Sequence, residues 1–318
     1  MPGLSDFTSQ EIMNWLACSR QTAVLPGGAV PTYTSGDFTN AGVWLALFTV
    51  APTSDAGTGG TEVPTAGGTN YARQQVGGTL VTSAVGSGST LTFASVPSWV
   101  NGATATATAG YQVRDLTTPA NLAAATTIVS TTGTTIVLNN SAASVASGDR
   151  VSISAFGPAT ASTGNPEPNT LPGGISNAGV VTMAQSGATA WGTCIFFGLY
   201  DAVTAGNYRV GDYIGAFNWL PFTCTLASPG VLTTDTTADA PANGSSIVVT
   251  QKFGGTLPTT GGSWAGLLTT ANLSANTFTA GVNTTSIGGG TFRQVVQQII
   301  GNNTTPSFAI GQLKFTAA

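Results

Sequence analysis

Along nearly the whole chain, short β-prone runs alternate with clusters of Gly, Pro, Asn and Ser, and this punctuation leaves little room for long helices. The run Val43-Trp44-Leu45-Ala46-Leu47-Phe48-Thr49-Val50 is closed by Ala51-Pro52-Thr53. It is mostly apolar, with aromatic and β-branched members and a proline stop, and fits a buried strand better than a helix. Turn chemistry fills 53–70, with Asp55, Gly57, Gly59, Gly60, Pro64, Gly67 and Gly68, before Tyr71 to Val76 resumes extension. Arg73 falls in that run, and its expected partners are a backbone carbonyl or a carboxylate such as Glu62.

Further runs stand at 90–93, 111–116, 126–130, 134–138 and 150–155, at the spacing of a small sandwich or barrel. Residues 86–157 therefore read as a small all-β module of their own. Beyond the Gly/Pro-rich stretch 157–179 the strand signals return at 191–200, near 208–226, at 246–253 and at 308–316. Residues 292–300 satisfy helical spacing, but branching at Cβ in Val295, Val296, Ile299 and Ile300 favours a strand. No repeat of fixed period is visible. The expectation is a mainly β protein: a β-sandwich or barrel-like discontinuous domain, 1–85 plus 158–318, with 86–157 inserted into it.

One helix is expected, over 7–17. Thr8 and Glu11 have the form of a capping box, and Phe7 with Ile12 that of a hydrophobic staple. Ile12, Trp15 and Leu16 recur at i, i+3 and i+4, making one apolar stripe. Phe7, Ile12, Trp15 and Leu16 are accordingly the candidate assembly contact, packed either on their own domain or into a neighbouring subunit.

Charge narrows the function. Acids and bases make up 6% of 318 residues, twelve against eight, for a net charge of −4. Eight scattered cations build no basic stripe, so the expected partners include no nucleic acid and no membrane. The absence of any histidine removes Ser-His-Asp, Cys-His and His-metal arrangements. A mean hydropathy of +0.23 with so little charge argues against disorder. Cys18, Cys194 and Cys224 are an odd number without short spacing, and read as buried thiols. The start has neither a basic segment nor an apolar run, and no stretch approaches eighteen apolar residues, so neither a signal peptide nor a membrane span is expected.

Among the acids, Asp201 and Asp212 are the best candidate pair for glycosidase chemistry, yet both fit turn roles. No calcium loop, P-loop or dinucleotide fingerprint is present, so no catalytic residue, cofactor or metal is expected. Trp44, Trp191 and Trp219 read as core anchors, and Trp99 and Trp264 as candidate sugar platforms if exposed.

The start Leu4-Ser5-Asp6-Phe7, the strand from Leu45 to Thr53 and the Gly-rich turn leading through Glu62 to Asn70-Tyr71-Ala72-Arg73-Gln74 resemble structural proteins of tailed-bacteriophage virions, of the tail-fibre or capsid-decoration type. Ala188-Thr189-Ala190-Trp191-Gly192, Phe197-Gly198-Leu199-Tyr200-Asp201-Ala202 and Gly206-Asn207 extend the resemblance, which covers about 4–80 and 175–225. Val113-Arg114-Asp115-Leu116-Thr117-Thr118-Pro119 is similar to Thr-rich β modules of such proteins, whereas 230–318 match none of it. The resemblance implies a non-enzymatic structural component, a capsid-surface decoration or a tail fibre or adaptor, made in the host bacterial cytoplasm and located in the virion. Its partners would be itself, as a homo-oligomer with a trimer first, and other virion proteins. The alternative is a carbohydrate-binding module for host adsorption, with a host-surface glycan as partner.

Overall fold

The computed structural model describes residues 42–52, 57–101, 109–123, 125–158, 174–215, 220–253, 267–285 and 287–316. The expected helix and its stripe, Phe7, Ile12, Trp15 and Leu16, lie outside the described residues, as do Cys18, Trp219 and Trp264. The described residues are mainly β, with barrel-like sheets, one 3-10 turn at Pro119–Asn121 and no α-helix among them. Contacts gather into two compact units, Met1–Ala161 with Thr170–Asp212 and Ile299–Ala318, and Ser162–Asn169 with Tyr213–Gln298.

The first unit is organised around the strand Val43–Val50. Val43, Leu45, Ala46 and Leu47 are fully buried and Phe48 nearly so, which requires neighbours on both sheet faces. One edge of this strand pairs antiparallel with Phe196–Tyr200, from Trp44 opposite Tyr200 to Phe48 opposite Phe196. Its other edge is shared by Gln74–Val81 and the short strand Thr61–Glu62. The full order is Tyr208–Tyr213, Phe196–Tyr200, Val43–Val50, Gln74–Val81, Arg150–Ser154 and Gln112–Asp115. Val43 pairs with Gly77 while Trp44 pairs with Gln75, so Val76 is the extra residue of a bulge. The bulge brings Gly78 onto the face of Trp44 and Gln75.

On the Leu47 face, Phe156, Phe197 and Phe315 pack with ring centroids 4.7–6.5 Å apart. Phe315 comes from Lys314–Thr316, which pairs with Gly174–Asn177, itself paired with Phe156–Pro158. The buried side chain of Asn177 fixes this corner. Its Nδ2 donates to Gly179 O and Ala309 O, both at 2.8 Å, and its Oδ1 accepts from Leu313 N at 2.9 Å.

Residues 86–157 enter three sheets, one of them that of Phe156–Pro158 with Gly174–Asn177. Thr90–Thr92, Thr135–Leu138 and Ile128–Thr131 form a three-stranded sheet over Leu91, Ile136 and Ile128. Gln112–Asp115 and Arg150–Ser154 instead continue the seven-stranded sheet, through Arg150–Ser154 against Gln74–Val81. Asp115 is buried because its Oδ1 accepts from Thr117 N and Thr118 N and its Oδ2 from Asn121 Nδ2, each at 2.9 Å, closing the turn that follows its strand.

The expected single strand over 191–200 is two, Gly192–Cys194 and Phe196–Tyr200. The break lies at Ile195, whose N–H donates to Phe48 O. In the second unit seven strands follow the order Leu268–Thr269, Ser246–Phe253, Gly289–Val295, Leu220–Cys224, Val231–Thr234, Thr277–Thr279, Ala271–Ser274. Its core gathers Phe222, Leu232, Ile247, Phe278 and Phe292. Phe292 lies 6.1 Å from Phe222 and 5.5 Å from Phe278 between ring centroids. The ambiguous run 292–300 is extended, in Gly289–Val295 and Gln298–Ile300.

Candidate functional site

The motif residues of the two sequence segments meet in one network. Glu62 stands opposite Phe48 on the short strand Thr61–Glu62, and Arg73 precedes the strand Gln74–Val81, so both face the same edge of Val43–Val50. Arg73 binds Glu62 through two parallel bonds, Nε to Oε1 at 2.9 Å and Nη2 to Oε2 at 2.8 Å. Its Nη1 donates to Ala205 O at 2.6 Å and Ala202 O at 3.2 Å. Its guanidinium carbon also lies 3.5 Å from the centroid of the Tyr200 ring. A planar fork that is bidentate on one side and stacked on the other is a task for Arg and not Lys. Burial works against the charge of Arg73, but the hydrogen bonds and charge of Glu62 outweigh it and hold the guanidinium above its ordinary pKa.

Tyr71 joins the network to the central strand. Its hydroxyl accepts from Leu47 N at 3.0 Å and donates to Glu62 Oε1 at 2.9 Å. Burial, then the neighbouring Glu62 charge, drives the phenol far above its ordinary pKa, so it stays a neutral donor. Trp191 meets the Tyr71 ring edge-on at 5.1 Å, and its Nε1 donates to Thr69 O at 2.7 Å. Asn70, in the left-handed region at φ 54, donates from Nδ2 to Gln185 O at 2.8 Å, and Thr189 Oγ1 donates to Gly67 O at 2.7 Å. The Gly-rich turn before Tyr71 and the segment from Gln185 to Trp191 are thereby stitched together.

Asp201 Oδ1 accepts from Asn207 N at 2.6 Å and its Oδ2 from Asn207 Nδ2 at 2.8 Å, so both oxygens close the turn before Tyr208–Tyr213. Burial alone would raise the Asp201 pKa, but the Asn207 bonds outweigh it and lower it. Asp212 is on the Tyr208–Tyr213 strand itself. The expected partners of Arg73, a carbonyl or Glu62, are both present. What sequence reasoning missed is the role of Tyr71 and Trp191 in the same network; the one signal was their place inside the motifs.

Cys194 is buried, which pushes its thiol up to about 12, and the half-buried Cys224 donates from Sγ to Ile287 O at 3.2 Å. Trp191 is a core residue, whereas Trp44 and Trp99 are half-buried. In the second unit Arg293 is buried with its guanidinium carbon 5.8 Å from the Tyr213 ring centroid, and burial lowers its pKa. Among the described residues no group of three or more Cys, Asp or Glu side chains is arranged to hold a metal ion, and no helix is long and apolar enough to cross a membrane. Chemically, the network around Arg73 is a clamp, since its acid, its cation and its phenol are committed to one another and to backbone carbonyls. In comparisons with known proteins, no family model, no curated protein and no solved structure matches this chain.

Proposed function

We propose that this chain is a non-enzymatic structural component of a tailed-bacteriophage particle, a capsid-surface decoration or a tail fibre or adaptor subunit. The observation that carries the reading is the convergence of the motif residues. Asn70 and Arg73 bond to Gln185, Ala202 and Ala205, while Glu62 bonds to Arg73 and Tyr71, and Tyr71 also to Leu47 N, so these side chains are spent on scaffold contacts. A motif used this way maintains a shape, which suits a subunit whose task is packing. Residues 86–157 are, in this reading, an addition to the body formed by 1–85 and 158–318, tied into it through Gln112–Asp115 and Arg150–Ser154.

The subunit works as a homo-oligomer, with a trimer as first choice, and contacts other virion proteins after synthesis in the host bacterial cytoplasm. A surface with 6% charged residues associates with copies of itself without desolvating many ions. The helix over 7–17 supplies the fastening stripe Phe7, Ile12, Trp15 and Leu16, whose burial contributes several kcal/mol at roughly 1.5–3 kcal/mol per large side chain. Sedimentation of the full chain and of a variant lacking 1–20, together with incorporation into phage particles, tests this. The expected result is a trimer that loses both assembly and incorporation on truncation. A monodisperse monomer that still incorporates after truncation overturns the proposal.

A further inference from the structure

We propose that the Trp44 face of the first unit's sheet carries a stacking site for a neutral pyranose sugar, formed by Trp44, Gln75 and Trp99. This inference is independent of the virion reading, since a sugar site serves a protein from any source.

Gln75, Trp44 and Tyr200 stand directly opposite one another on three adjacent strands, forming a row across the sheet. Directly opposed residues of an antiparallel pair have Cβ atoms roughly 4.5–5.5 Å apart, so such a row is a continuous surface. The bulge at Val76 adds Gly78 to the same face. There the indole of Trp99, carried by a turn in which Val100 N and Asn101 N both donate to Pro97 O at 2.9 Å, lies so close that a Cβ on Gly78 would meet it at 3.1 Å. Gly42 holds the opposite end, where a Cβ would overlap both the Trp44 ring and the Gln75 amide. The same amide nitrogen approaches Gly78, at 3.0 Å from its Cβ position, so one primary amide sits between two indoles on a floor of glycines.

Exposure separates Trp44, Gln75 and Trp99 from the core. Tyr200 is 7% exposed and lies under Arg73, whereas Trp44, Gln75 and Trp99 remain half-buried. Trp191, by contrast, is a core indole with its N–H bound to Thr69 O. An aromatic face stacks on the C–H face of a pyranose ring, and the Gln75 amide, whose Nε2 uses one N–H on Gly77 O at 3.1 Å, has a second N–H and its carbonyl oxygen with which to read hydroxyls. Charge selects the class of sugar: Arg73, which lies over Tyr200 at the end of the row, is already paired with Glu62 and does not offer its charge to a uronate or sialate.

Saturation-transfer NMR on the full chain tests the site, with methyl β-galactopyranoside, methyl α-mannopyranoside and methyl β-N-acetylglucosaminide as probes and methyl glucuronide as the charged control. The expected result is saturation of ring C–H protons in at least one neutral probe, with affinity on the order of millimolar. Trp99→Ala is expected to weaken binding at least tenfold and Trp99→Tyr to retain most of it. Gly78→Ala, which pushes on the Trp99 ring without removing it, provides a second variant should Trp99→Ala fail to fold, and is expected to weaken binding several-fold. The inference is overturned by no transfer to any neutral probe, by preference for the glucuronide, or by undiminished transfer in a folded Trp44→Ala, Trp99→Ala double variant or in folded Gly78→Ala.

Discussion

The two units each build a seven-stranded sheet and hold it by different means. In the first, neighbouring strands come from distant parts of the chain, as when Val43–Val50 sits beside Phe196–Tyr200, and polar ties such as Arg73 to Ala205 O join the same distant segments. In the second, every strand of the sheet lies between residues 220 and 295, its most distant neighbours being Leu220–Cys224 and Gly289–Val295, and Phe222, Phe278 and Phe292 form one apolar cluster. The difference teaches where specificity is bought. Distant strands must be selected from many possible pairings, and directional bonds discriminate among them better than apolar contact does. In the second unit turns set the register of hairpins such as Leu220–Cys224 with Val231–Thr234 and Ala271–Ser274 with Thr277–Thr279, and the shared apolar cluster draws the other strands together within a shorter stretch of chain.

The largest expected effect comes from the apolar side of this contrast. Phe292→Ala empties the centre of the second unit's cluster, at about 3–5 kcal/mol for a buried aromatic. Hydrogen exchange followed by mass spectrometry should show faster exchange in peptides from 220–253 and 277–295 with 43–50 and 196–200 unchanged. Equal acceleration in both units would dissolve the distinction.

Arg73→Ala tests the polar side. It leaves Glu62 without its bidentate partner, at about 2 kcal/mol, below the 3–5 kcal/mol of a fully buried pair because the Glu62 side chain is 25% exposed. Cys194 reports the loss, since a thiol pushed up to about 12 is protonated at pH 8 and reacts only when its surroundings open. In a Cys18→Ser background, thiol labelling mapped by peptide mass should speed up about thirtyfold at Cys194. Arg73→Lys should recover only part of the stability, since an ammonium cannot make the parallel pair of bonds. Full recovery would reduce the clamp to a simple charge pair.

Trp191→Phe keeps an aromatic edge toward Tyr71 and deletes the bond to Thr69 O, at about 1 kcal/mol on urea denaturation. The smallest effect belongs to Asp201→Asn, a few tenths of a kcal/mol, because the half-buried carboxylate still reaches solvent and Asn keeps one acceptor oxygen for the turn. Its sign is definite: a carboxyl whose folded pKa is lowered adds stability above its unfolded pKa near 4, and loses it as pH falls through the lower folded value. The difference between wild type and Asp201→Asn in urea midpoint should therefore shrink from pH 6 to pH 3. A difference that grows on acidification would contradict the role of Asn207.

Strand character was legible wherever composition and a stop signal agreed. The run at 43–50 is a strand with the expected ends, and 246–253 likewise, because β-branched and aromatic residues between turn residues need no distant partner to be extended. The pair Glu62 and Arg73 was legible for a similar reason: with eight basic side chains in the chain, a half-buried one calls for a carboxylate or carbonyl, and few candidates exist.

Which strands become neighbours was not legible. Residues 111–116 and 150–155 look in sequence like parts of the same small module as 90–93 and 134–138, yet the first pair extends the large sheet and the second does not. Local spacing reports extension, while pairing depends on which apolar faces fill a common core, a property of the assembled chain. The same holds for the row of Trp44, Gln75 and Trp99. Residue types and local strand propensity were determined by the sequence alone. The bulge at Val76, which turns Gly78 toward Trp44 and under Trp99, exists only through pairing with Val43–Val50, since a register shift has no meaning until two strands meet.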